Sequence, residues 1–141
     1  MAKIYKFQKV IDQYTTHCLF EPDYNLREGE DRITELCTLA GWTYVSVPNT
    51  IDLPVQPEII AASLAEVDLG EEPETKTLIL ASSPVCQSIR GRVVDRIRDR
   101  YSINDEIKMI RTGPTPETEA YNDWVEECRS WGRTEKEKLG L

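Results

Sequence analysis

Over the last third of the chain, apolar residues return at helical spacing. Val85, Ile89, Val93 and Ile97 follow one another every four residues, with Cys86, Val94 and Tyr101 alongside, and this draws one broad apolar face at the 3.6-residue period. Pro84 suits the first turn of such a helix, where a missing N–H costs nothing, and Ser82 or Ser83 stands where a cap belongs. Ser102 followed by Asp105, with Ile103, Ile107 and Ile110 at helical spacing, predicts a second, shorter helix. That helix cannot continue past Gly113-Pro114. Thr115, Pro116 and the acids Glu117 and Glu119 then predict a third helix, capped, started by proline and carrying negative charge at its positive end. Its apolar arc is narrow and aromatic: Ala120, Tyr121, Trp124, Val125, Cys128 and Trp131. A further short helix is predicted ahead of these, from Glu74 to Ala81.

The first half is patterned differently. Lys3 to Val10 and Tyr14 to Phe20 are rich in β-formers and flank the polar pair Asp12-Gln13, so a β-hairpin is expected. A helix competes with it, because Ile4, Phe7, Ile11 and Tyr14 also fit a three-four spacing. Glu21 to Asp31 reads as a loop. Ile33 to Leu39 fits either state: Ile33, Leu36, Cys37 and Ala40 suit a helix, whereas the threonines and Ala40-Gly41 suit a strand entering a turn. Trp42 to Val47 is the clearest strand, dense in aromatic and β-branched residues and ended by Pro48. Pro48-Asn49, Pro54 and Pro57 then mark an extended connector, and Ile59 to Leu69 reads as strand or short helix. The fold expected is α+β: a β-rich N-terminal part built on hairpins, residues 1–70, followed by a C-terminal bundle of three or four short helices, residues 71–141, within one cooperative unit.

Charge changes this picture by dividing the chain. The whole carries −8 over 141 residues, which argues against nucleic acid, since phosphate contacts need a basic face. From Leu19 to Thr75 there are thirteen acids against two arginines, a net of −11. Pro84 to Arg111 holds seven bases against four acids, a net of +3. The two halves should attract, within one chain or between copies. No apolar run approaches the length of a membrane span, and the start Met-Ala-Lys-Ile-Tyr-Lys is too polar for a signal peptide, so a product made in the cytoplasm is expected.

Candidate chemistry is sparse. Cys18, Cys37, Cys86 and Cys128 are widely spaced, and His17 is the only histidine. Free thiols are the expectation, because adjacent ligands such as His17 and Cys18 rarely face one metal. No phosphate-binding loop, nucleophile elbow, zinc-protease or dinucleotide motif occurs. Neither an enzyme nor a bound cofactor or metal is expected. The residues singled out are of another kind. Arg96 lies seven residues after Ile89 and Arg100 seven after Val93, so both fall close to the apolar stripe of their helix. Either they snorkel or pair with acids of the same chain, or they hold a partner's carboxylate inside a contact. Trp124 and Trp131, seven apart with Tyr121 alongside, either fill the core or anchor a partner.

Several blocks together carry a resemblance. Lys3-Ile-Tyr-Lys-Phe with Tyr14-Thr-Thr, the run Glu35 to Pro48, Arg100-Tyr-Ser-Ile-Asn-Asp-Glu-Ile-Lys-Met-Ile-Arg111, and Tyr121-Asn-Asp-Trp-Val-Glu-Glu-Cys-Arg-Ser-Trp-Gly132 resemble small bacteriophage and prophage tail proteins, of the tail-fibre accessory or tail-fibre assembly chaperone type. The resemblance implies no catalytic residue. It implies binding to a fibre or baseplate protein in the virion tail, as homo-oligomer or in multiple copies on a trimeric fibre, and either retention in the particle or departure after helping the fibre fold.

Overall fold

The structure, a computed structural model, describes residues 2–8, 32–53 and 58–141. Four strands form one antiparallel sheet: β1 (Ala2–Phe7), β2 (Thr34–Leu39), β3 (Trp42–Pro48) and β4 (Ala65–Val67), in the order β2-β3-β1-β4. A short helix, α1 (Glu58–Ala61), precedes β4, and four helices follow it: α2 (Pro73–Ser82), α3 (Pro84–Arg98), α4 (Ile103–Thr112) and α5 (Pro116–Lys138). The fold is therefore α+β, with the sheet in the first half and the helices in the second.

β1 is a central strand, pairing β3 on one side with Tyr5 opposite Val45, and β4 on the other with Ile4 opposite Val67. The helical reading of 3–10 thus gives way, for its first residues, to a strand; the second arm of the expected hairpin, Tyr14 to Phe20, lies outside the described residues, as does the loop from Glu21 to Asp31. Ile33 to Leu39 resolves as strand too. A bulge between Glu35 and Cys37 interrupts its register with β3 and puts the consecutive Leu36 and Cys37 in the same core cluster. Ala40 and Gly41 join β2 to β3 with φ of 50° and 84°, the two positive values a type I′ hairpin turn requires. Ile59 to Leu69 contains both of its expected alternatives, α1 and β4.

Strand alternation gives the sheet two covered faces. On one, Ile4, Tyr44 and Val67 join Ile79 of α2 and Val85 and Cys86 of α3, so the β-rich and helical halves share a core. On the other, Phe7, Val45 and Val47 pack with Ile60 of α1. The far end of α5 returns to the first face. Gly140 N–H donates to Glu137 O at 2.9 Å and Leu141 N–H to Lys136 O at 3.0 Å, the paired bonds of a Schellman stop with glycine in the left-handed position. Ser46 Oγ then donates to Leu139 O at 2.8 Å, and Leu139 and Leu141 pack on the core. This fixes one end of α5 on the sheet, and the remaining turns of α3 and α5 extend beyond it.

The predicted caps are mostly made. Ser102 and Asp105 form a reciprocal capping box at α4, and Thr115 Oγ1 accepts from Thr118 N–H at α5, where Pro116 opens the helix. α3 differs: Ser83 occupies the cap position, but its hydroxyl is buried and accepts no bond from the helix. Ser82 Oγ donates to Leu78 O instead.

Candidate protein-contact surface

α3 and α5 run antiparallel and approach closely at Gly132. A Cβ at that position would lie 2.7 Å from Cγ2 of Val93 and 3.7 Å from Cγ2 of Ile89, so any side chain there would have to displace Val93 or part the helices. On one flank of the crossing the guanidinium of Arg100 lies 3.6 Å from the centre of the Trp124 ring. That of Arg96 lies 4.1 Å from the centre of Trp131. Trp124 Nε1–H donates to the Arg96 carbonyl at 3.0 Å. Four of the five residues singled out in the sequence are thus interleaved as a ladder of cations on indole faces, each such contact contributing about 0.5–1 kcal/mol near solvent. Both tryptophans and Arg96 are half-buried and Arg100 is exposed, so the ladder is neither enclosed core nor open patch.

Tyr121, the fifth, stands apart from it. Its ring meets Tyr101 edge-on, with centres 5.0 Å apart and planes at 79°. Its hydroxyl hydrogen-bonds Glu106; burial, with that bond added, pushes the phenol above its ordinary range. Glu106 also pairs with Arg98 at 3.0 Å, and the Arg98 bond holds its carboxyl below the usual range. The Ser102 backbone and side-chain bonds do the same for Asp105. Glu106 thus ties α4 to α3 through Arg98 and to α5 through Tyr121, while the Asp105 bonds close the helix's own cap.

The apolar stripe of α4, which runs beside Glu106, is left largely uncovered. Ile103, Ile107 and Ile110 are 61, 43 and 79 % exposed, and no residue of the helix is buried. Ile110 also borders a hollow of about 350 Å³ at the α4–α5 turn, lined by Met109, Gly113, Pro114 and Tyr121. The spacing of the three isoleucines was legible in the sequence as a helix. That they face solvent was not, because periodicity marks an apolar face without saying what covers it.

Every shifted thiol is a buried one. Burial, with Cys86 and Glu35 nearby, pushes Cys37 up to about 11, and burial raises Cys86 and Cys128 as well. All three are free; Cys18 and His17 lie outside the described residues. A raised thiol is a poor nucleophile, so Glu126 and Glu127 beside Cys128 do not make it reactive. Among the described residues no three His, Cys, Asp or Glu side chains are grouped to hold a metal ion, and no helix is long and apolar enough to cross a membrane. Compared with known proteins, the chain matches no family model, no curated protein and no solved structure.

Proposed function

We propose that this protein is a non-enzymatic component of a bacteriophage tail that binds a tail-fibre or baseplate protein as an adaptor. The observation that carries the reading is the isoleucine stripe of α4. Fully burying an aliphatic side chain is worth about 1.5–3 kcal/mol, so covering the exposed parts of these three would recover on the order of 3–5 kcal/mol. Hydrophobic stripes left open on a short, well-capped helix are characteristic of surfaces completed by another chain. The Arg–Trp ladder, with both indoles half-buried, extends the candidate contact along the α3–α5 flank. The perturbed groups support the same reading: Asp105 and Glu106 have structural partners, and the raised thiols owe their shifts mainly to burial.

A fibre chain before assembly exposes strand edges and apolar surface, and a strongly acidic binder can cover such surface while remaining dispersed. The test is mass spectrometry of purified particles together with co-purification from infected cells. A retained adaptor appears in the particle in fixed ratio to the fibre. A folding helper co-purifies with the fibre in the cell and is missing from the particle. Failure to associate with any tail protein refutes both.

A further inference from the structure

Helical spacing places a second surface on the flank of the α3–α5 crossing opposite the tryptophans. Val93, Val94 and Gly132 contribute to the apolar floor of an open groove of about 390 Å³, and Val94 is 50 % exposed. Arg90, Arg129, Arg133 and Lys136 stand around it. Arg133 pairs with Glu126. Among the described residues, no carboxylate forms an ion pair with Arg90, Arg129 or Lys136. In a chain of net charge −8, cations gathered around an aliphatic floor repel one another unless an anionic surface offsets them.

A surface of the complementary kind lies on the same chain. Glu71, Glu74 and Leu78 are all exposed, Leu78 by 54 %. Glu74 and Leu78 stand one turn apart on α2, and Glu71 lies in the turn just ahead of the helix's N-cap, Glu72, so an exposed acid leads into an acidic stripe that ends in a leucine. The groove and α2 adjoin, because Arg90 donates to the Leu80 carbonyl of α2 at 3.1 Å.

We propose that the groove is the docking site for a second copy of this chain, whose α2 stripe enters it. Leu78 covers the Val93–Val94 floor, and Glu71 and Glu74 meet Arg129 and Lys136. Because the groove adjoins the last turn of α2 in each copy, a two-fold axis near that junction lets both contacts form together, each surface meeting its complement. The inference goes beyond the adaptor reading and requires no fibre protein.

Sedimentation equilibrium of the full chain over a wide concentration range tests it. The expected result is a particle of twice 16.2 kDa, with a dissociation constant at least tenfold weaker in about 0.5 M salt than in about 0.05 M. Arg129→Glu with Lys136→Glu, and separately Glu71→Lys with Glu74→Lys, should each give a monomer with unchanged helical circular dichroism. An equimolar mixture of the two should restore the dimer, since each reversed surface then meets its complement. Leu78→Asp, at an exposed position, should also give a folded monomer should either charge reversal disturb folding. A monomer at every concentration, or a dimer indifferent to both reversals and to Leu78→Asp, overturns the proposal. So does a monomer whose groove binds a synthetic Glu- and Leu-rich peptide of unrelated sequence.

Discussion

Replacing Gly132 by alanine, with Gly91→Ala as its control, separates helix propensity from helix–helix contact. Both residues lie inside helices, where glycine is less favourable than alanine by about 0.8–1 kcal/mol. At Gly91 a new Cβ meets nothing within 4 Å, so the whole propensity gain should appear and the variant should be more stable by about 1 kcal/mol. At Gly132 the same Cβ would lie 2.7 Å from Val93 Cγ2. Valine in a helix has one strongly favoured rotamer, so either it is forced out of that rotamer or the helices separate. Overpacking of this kind costs about 1–3 kcal/mol, which outweighs or cancels the propensity gain. Gly132→Ala should therefore be neutral to about 2 kcal/mol less stable than the parent, and about 1–3 kcal/mol below Gly91→Ala. Urea unfolding followed by circular dichroism reads both midpoints, and an unchanged slope keeps the comparison valid. If Gly132→Ala raises the midpoint as far as Gly91→Ala does, α3 and α5 are not in close contact there, and both flanks built on that crossing lose their geometry.

Other expectations follow from single sites. Ala40 holds φ of 50° in an exposed turn, a conformation asparagine tolerates better, so Ala40→Asn should raise the unfolding free energy by about 0.5–1 kcal/mol, read as a higher urea midpoint; a lower midpoint would contradict the I′ turn. The carboxyls of Asp105 and Glu106 are held below their ordinary values, so what they contribute is fully present above those values and is lost as pH falls through the lowered folded ones. Acid titration below about pH 4 should thus release α4, and Asp105→Asn should weaken that acid sensitivity, read from amide exchange across Ile103–Thr112. Cys37, Cys86 and Cys128 should resist alkylation at neutral pH and react fully in denaturant, as peptide mapping would show; rapid native labelling of any of them would contradict its burial.

The helical half was legible because its signals are local. Ser102 with Asp105, Gly113-Pro114 and Thr115-Pro116 specify caps and breaks within a few residues of each other, and the helices begin and end there. β2 was ambiguous for a physical reason: its bulge puts the consecutive Leu36 and Cys37 in the same core cluster, which breaks the two-residue alternation that marks a strand. Ile59 to Leu69 could not be assigned one state because it contains two short elements. The Arg–Trp ladder was legible only as separate residues on separate helices. Joining them requires the antiparallel approach at Gly132, a contact between positions more than thirty residues apart, and no spacing along the chain encodes it. The basic groove was hidden likewise, since Arg90 and Arg129 become neighbours only through that approach.

The proposed role requires α4 and the α3–α5 flank to be covered by another chain. Isothermal titration with the fibre or baseplate protein that co-purifies with it, comparing the parent with Ile107→Glu and Ile110→Glu together, reads whether they are. Both isoleucines are exposed, so the double variant should keep the parent's unfolding free energy within about 0.5 kcal/mol while affinity falls by at least tenfold. Undiminished binding by the folded variant would contradict the account.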